Sequence, residues 1–309
     1  MDPWRASVYV SRVNGAAMKL GRPSLQPATA GLITDALRPI VLGFAIATFT
    51  TACAGGDPVT VPFELPFSAV VGDAPFTCDG SFDVGTSSAA VQPIDLRFYI
   101  HDVEVISGGD AVPVTLDDSP FQRDGLALID LEDDSGTCET GSPETNAKVT
   151  GTVPEGTTVD SVRFVIGVPE EQNHLDAATG PAPLNVPGLW WSWAGGYKFM
   201  KIDVVAPQNP EFYFHLGATT CEGDPTAGFS CAFGNKATVD VAGASVVMDL
   251  AALYAGVDVN TPLAEGDSVP GCMAFAGDPE CPAMFAPLGL DFESATASGD
   301  AQTLFKAGE

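Results

Sequence analysis

Residues 94–106 read IDLRFYIHDVEVI, in which Ile94, Leu96, Phe98 and Ile100 fall on one side of an extended chain and Asp95, Arg97, Tyr99 and His101 on the other. A period of two is the geometry of a strand, whereas helical side chains repeat near 3.6. The pattern recurs. VTVPFELPFSAVV, GLALIDLED, NAKVTGTVP, VDSVRFVIGVP, YKFMKIDVV, EFYFHLG, KATVDVAG and ASVVMDL are short segments of strand character, punctuated by Gly, Pro, Asp or Asn. No long helical period lies between them, so the fold class expected is all-β: a single antiparallel β-sandwich or barrel-like domain with long loops. Helical turns are expected only near Leu250–Tyr254 and Cys281–Leu288.

The first fifty residues are of another kind. They carry five basic residues (Arg5, Arg12, Lys19, Arg22, Arg38) against Asp2 and Asp35, and lead into an apolar run, PIVLGFAIATFTTAC, over Pro39–Cys53. That run is short for a membrane span and right for the core of an export signal. Thr51-Ala52-Cys53 reads as a bacterial lipobox, in which cleavage leaves Cys53 as the lipid anchor, and Ala54 after it implies sorting to an outer membrane. The expected organisation is a signal peptide over 1–52, a linker over 53–58 beginning at lipidated Cys53, and one β domain over 59–309. The expected location is the periplasm or cell surface, as an outer-membrane lipoprotein.

The whole chain has 13 basic and 40 acidic residues, a net charge of −27. Removing residues 1–52 takes away five of the former and two of the latter, leaving −30. Such a surface repels nucleic acid and anionic lipid headgroups, so no nucleic-acid partner is expected. Cys53 aside, six cysteines remain, and in an exported chain they read as three disulfides. Sequence proximity favours Cys221–Cys231 and Cys272–Cys281, which leaves Cys78–Cys138. No CxxC spacing supports a thiolate metal site.

Catalytic motifs are missing: there is no G-x-S-x-G, H-E-x-x-H or phosphate loop, and Asp176 near His174 has no nucleophile set by a recognisable turn. The chain is not expected to be an enzyme. Its three histidines stand in separate segments. His101 is on the polar side of its strand with Tyr99, and His215 shares a side with Tyr213 opposite Phe212, Phe214 and Leu216. His174 lies in a long Pro/Gly-rich loop leading to LWWSWAGGYKFMK, where three of the four tryptophans sit within four positions. With thiols locked in disulfides, converging imidazoles would suit copper or zinc. Met200, Met273 and Met284 read as core filler. Asp130, Glu132, Asp133 and Asp134 offer oxygen donors for calcium but lack EF-hand spacing, and read as a solvated acidic turn.

DLRFYIHDV, LIDLEDDSGTC…TN…VTGTVP, VRFVIGVPEEQNHLD, APLNVPGLWWSWAGGYKFMKID, FYFHLGATTC and GCMAFAGDPECPAMFAPLGLDF together resemble, in order and wording, the MbnP-like proteins. These are the four-cysteine members of the metallo-mystery pair, and the resemblance runs from about Phe63 to the C-terminus. It implies an exported protein of copper homeostasis that binds one copper ion as Cu(I), beside a partner dihaem peroxidase of the MauG type (MbnH). That enzyme oxidises the first tryptophan of a W-x-W motif to kynurenine, and copper binding depends on the change. Here the motif is Trp191-Ser192-Trp193, so Trp191 is the residue implied, with Trp193 two positions on along the same strand face. The resemblance carries the metal role to His174 and His215, which stand in matching blocks, and to His101. Six cysteines where the family is named for four leave one disulfide peculiar to this chain. The contrasting reading, from export signal, disulfides and acidity alone, is a structural or adhesive surface β-protein without metal.

Overall fold

The computed structural model describes residues 59–139, 141–261 and 269–308; the segment expected to be an export signal, Cys53 and the expected linker lie outside them. The principal strands are β1 (Thr60–Val71), β2 (Ala89–Ser107), β3 (Leu126–Asp130), β4 (Lys148–Pro154), β5 (Ser161–Ile166), β6 (Trp190–Ser192) and β7 (Gly196–Val205). They continue with β8 (Phe212–Gly217), β9 (Thr219–Asp224), β10 (Gly228–Phe233), β11 (Ala237–Ala242), β12 (Val246–Asp249) and β13 (Phe305–Ala307). Most of the segments with a period of two thus form strands. Strand periodicity does not reveal the β9–β10 hairpin, because it largely alternates half-buried with exposed residues and has no fully buried side.

Two sheets face each other. The smaller runs β13-β12-β1-β4, then Thr115–Leu116. Its central strand β1 pairs antiparallel with β4 (Phe63↔Gly151) and parallel with β12 (Phe67↔Val246). The larger runs β11-β5-β2-β7-β8, ending in a short parallel strand at Gly271–Cys272, with β3 added to β2 and β6 to β7. Between them, Phe67 and Phe305 from the smaller sheet meet Phe98 and Phe164 from the larger, edge to face, with ring centroids 5.6–5.8 Å apart. Each such pair contributes about 0.5–1.5 kcal/mol beyond the area it buries. The all-β sandwich is therefore the observed fold.

Short helices close the sandwich where expected. Helix α2 (Leu250–Tyr254) starts at Asp249, whose carboxylate accepts from the Ala251 amide at 3.1 Å, and α3 (Cys281–Phe285) has Pro282 in its first turn, where no amide partner is lost. An additional turn, α1 (Glu170–Asn173), sits in the long loop after β5. The disulfides are Cys78–Cys138, Cys221–Cys231 and Cys272–Cys281, the pairing that proximity favours.

Alternation distinguishes the two sides of β2 but does not reveal that both are covered. Its apolar side faces the smaller sheet. The other side, Asp95, Arg97, Tyr99 and His101, is also buried, because the loop following β5 lies across it. Tyr99 Oη–H donates to the Pro183 carbonyl at 3.0 Å, Tyr197 Oη–H to that of Leu184 at 2.7 Å, and Lys198 Nζ to that of Gly188 at 3.0 Å. Side chains of the rigid sheet thus hold the carbonyls of the loop that carries His174 and leads into the tryptophans.

Candidate metal centre

The tryptophan cluster is divided by its backbone. Trp190 pairs with Tyr197 and Ser192 with Gly196, and the register slips between them, so Trp191 stands at the irregularity. Its ring lies on bare backbone: a Cβ at Gly217 of β8 would sit 2.5 Å from Trp191 Cζ3 and 2.8 Å from Cη2. Phe275 covers it at 5.7 Å between centroids. Trp191 Nε1 is buried and has no hydrogen-bond partner in the structure. Trp193 behaves differently. Strand β6 ends at Ser192, and Trp193 is 50% exposed on the rim of a cleft, which corrects the expectation that it shares a strand face with Trp191. The glycine pair after it lets the chain turn straight back into β7.

His174 comes to this motif from α1. Asn173, buried, accepts the Tyr197 amide on Oδ1 at 2.9 Å, an approach allowed because Gly196 (φ +69°) has no Cβ to meet the Asn173 amide group at 2.5 Å. This pins the end of α1 to the start of β7. His174 Nδ1 then lies 2.5 Å from the Trp193 carbonyl oxygen. A carbonyl only accepts, so Nδ1 carries a proton, and in the neutral ring the lone pair is therefore on Nε2. The ring stacks on Phe229 of β10, 4.4 Å between centroids, and Nε2 is 3.5 Å from Cys231 Sγ. A cleft of about 670 Å³ opens here, lined by His174, Leu175, Trp193 and Phe229, with Glu170, Glu171 and Asp176 supplying charge.

The other two histidines are held in the same manner but elsewhere. His215 Nε2–H donates to Asp203 Oδ1 at 2.9 Å and its Nδ1 is buried without a partner. Burial lowers the His215 pKa, only partly offset by Asp203, so the ring is neutral near pH 7. His101 Nδ1–H points to Asp102 Oδ2 at 3.0 Å and its Nε2 is likewise buried and unpartnered; burial again lowers its pKa. Each of the three therefore has one ring nitrogen fixed by an oxygen and the other without a strong partner, the arrangement that orients a histidine ligand.

They do not, however, surround one point. His215 lies opposite Lys201, and Lys201 opposite Arg97, whereas His101 is four residues further along β2. That is roughly 13 Å along the strand and 10 Å across it. Among the described residues, neither histidine belongs to a group of three potential ligand atoms. His174 does, but with Cys221 and Cys231, which form a disulfide. The expected convergence of His101, His174 and His215 on one ion is not what the sheet builds. Strand periodicity put His101 and His215 on the polar sides of their strands but carried no information on their burial or separation.

The MbnP family model matches residues 60–274. The chain belongs to the MbnP family. The solved structure of MbnP from Methylosinus trichosporium superposes with a TM-score of 0.72 at 25% sequence identity, covering 80% of this chain and 98% of that one. No curated protein matches the sequence.

In this MbnP-family chain the ground beneath the histidines is an ionic network that the sequence did not announce. Asp95 binds Arg97 and Lys201, and Lys201 also reaches Asp203 at 3.1 Å, all of them buried. Asp203 is thus shared between Lys201 and His215. Glu132 and Asp130 are drawn in as well. Asp130 is buried beside them, and desolvation pushes its carboxyl up to about 8 despite Arg97. Glu132, also raised by burial, accepts the Asp134 and Ser142 amides at 3.1 and 2.9 Å. The stretch read as a solvated acidic turn is thus half structural: Asp130 and Glu132 are buried, Asp133 and Asp134 exposed.

Proposed function

We propose that the chain is an exported, non-enzymatic copper-binding protein of copper homeostasis, with Cu(I) as its cargo, matured by oxidation of Trp191 to kynurenine. The observation that carries this reading is the contact between His174 and the W-x-W motif. Residues 19 apart meet because His174 Nδ1 lies 2.5 Å from the Trp193 carbonyl, which orients the ring so that Nε2 is the nitrogen that would bind a metal. His174 would hold the metal. His215 and His101, each neutral and buried, are further imidazoles of the same chemistry at separate points of the sheet.

Intact indole offers no lone pair to a metal. Oxidative cleavage of the indole C2–C3 bond, with two hydrogen peroxide equivalents as oxidant and C2 released by hydrolysis as formate, turns the unpartnered Nε1–H of Trp191 into an aryl amine and C3 into a ketone, both able to coordinate or to hydrogen-bond. The oxidation is assigned to a MauG-type dihaem peroxidase. Leu175, Trp193 and Phe275 are three of the four exposed large hydrophobic residues among those described, and all three lie around the motif or its cleft. An apolar patch there supports docking of a protein partner. Cys53 is proposed to anchor the chain by lipid to the outer membrane.

The test is copper per chain, by elemental analysis, in protein purified from its native host grown copper-replete. Wild type is expected to carry close to one copper and a mass shift on the peptide containing Trp191; Trp191→Phe and His174→Ala are expected to lose most of the metal with circular dichroism unchanged. Equal copper in wild type and Trp191→Phe would remove the kynurenine from the mechanism. Copper-free wild type would leave a disulfide-stapled surface β-domain.

A further inference from the structure

The β9–β10 hairpin forms a two-stranded sheet of its own, and Cys221 and Cys231 are directly opposed across it with Cα atoms 3.8 Å apart. A His174 ring nitrogen and the two sulfurs all lie within 4.8 Å of one another, and it is Nε2, the nitrogen bearing the lone pair, that faces Cys231 Sγ at 3.5 Å. In the disulfide the sulfurs are weak donors. As thiolates they are among the strongest soft ligands a protein has.

We infer that Cys221–Cys231 is the closed form of a redox-gated soft-metal site, which on reduction becomes a Cys₂His centre for one Zn(II) or Cu(I). A dithiol breaks the S–S bond, giving two electrons and two protons to the cysteine sulfurs and becoming a disulfide itself. The metal then displaces the two thiol protons to solvent and binds Cys221 Sγ, Cys231 Sγ and His174 Nε2.

Three features single out this disulfide. Both its cysteines are only partly buried, whereas Cys78, Cys138, Cys272 and Cys281 are buried and shielded from a reductant. Two thiolates on one zinc stand roughly 3.8 Å apart, within reach of side-chain rotation from cysteines whose Cα atoms are already 3.8 Å apart, so the hairpin need not move. The third ligand is already oriented: the Trp193 carbonyl on Nδ1 is the outer-shell acceptor that metal-binding histidines use. Three protein ligands leave a fourth coordination position for solvent or an exchanging ligand. The Cys272, Asp278 and Cys281 group shares the spacing but has both sulfurs buried.

The inference uses the His174 orientation described above and is independent of Trp191 oxidation. The experiment takes the full chain made without a peroxidase, so that Trp191 is intact, reduces it anaerobically with limited dithiothreitol, and maps the freed thiols by alkylation. Titration with Co(II), a spectroscopic probe for Zn(II), follows. One Co(II) per chain with thiolate-to-cobalt charge-transfer absorption is expected only after reduction of Cys221–Cys231. Cys221→Ser/Cys231→Ser should abolish the absorption with unchanged circular dichroism, and His174→Ala should weaken binding by at least about 10-fold. A reduced chain without thiolate–cobalt absorption, a His174→Ala titration identical to wild type, or survival of this disulfide after the other two are reduced would each overturn the inference. Copper content in the native host tests the other reading, and neither result decides the other.

Discussion

Gly217→Ala tests the seat of Trp191 without altering Trp191. The added Cβ would lie 2.5 Å from Cζ3 and 2.8 Å from Cη2 of the indole, and 2.8 Å from the Tyr197 carbonyl oxygen. Carbon atoms pack at about 3.5–4.0 Å, so the ring must retreat by roughly 1 Å, and Phe275 stands against it. Overpacking of this size costs about 1–3 kcal/mol. Alanine offsets part of that by restricting the unfolded chain, about 0.4–1 kcal/mol. The net loss is up to about 2.6 kcal/mol, which for a domain of this length lowers Tm by up to about 10 °C. Thermal unfolding followed by near-ultraviolet circular dichroism reads both quantities, since a displaced indole changes the aromatic signal. Gly195→Ala is the milder comparison, its Cβ meeting Trp191 Cβ at 3.1 Å. A Gly217→Ala protein with raised Tm and an unaltered aromatic spectrum would show that the ring does not rest on Gly217, and the account of the motif would fail with it.

Trp193→Phe should cost under about 0.5 kcal/mol in denaturant unfolding, because Trp193 is half exposed and its contact to His174 is through the main chain; a loss of several kcal/mol would mean it is a core residue. Asp130→Asn should change the pH dependence of stability. Burial raises the folded pKa to about 8 from an ordinary value near 4. The stability contributed by the proton is therefore complete below about pH 4 and lost as pH rises to about 8, so the variant should gain about 2–5 kcal/mol on wild type across that interval. Parallel stability curves would refute it. The disulfides should differ by loop length: Cys78–Cys138, separated by 60 residues, contributes about 4 kcal/mol and Cys221–Cys231, separated by 10, about 3 kcal/mol. Paired Cys→Ser variants in urea measure the difference, and a larger loss from the shorter loop would contradict the chain-entropy argument.

Much of the fold was legible because strand formation is local. Phe63, Leu65 and Phe67 declare the inner face of β1 by alternation alone, and Leu96, Phe98 and Ile100 do so for β2. Disulfide pairing followed from proximity, since loops of nine and ten residues close most readily. The W-x-W motif and the long loop before it were visible as composition, and their family resemblance as wording. Local pattern cannot say how far apart two polar residues lie when different strands carry them. His101 and His215 each sit on the polar side of a strand, yet strand order and register place them on separate parts of the sheet. Nor could alternation show that the side bearing Asp95 and Arg97 is roofed by a loop, because that depends on Tyr99 and Tyr197 meeting carbonyls more than ten residues away.

By itself, then, the sequence determined an all-β domain with three disulfides and a tryptophan motif, because side-chain period, loop closure and composition are properties of neighbours in the chain. Only the tertiary structure decided that Trp191 lies on Gly217 while Trp193 faces a cleft, and that His101 stands well apart from His215 on the sheet. Those outcomes depend on register slips, missing Cβ atoms and carbonyl contacts between segments, which exist only once the strands are paired.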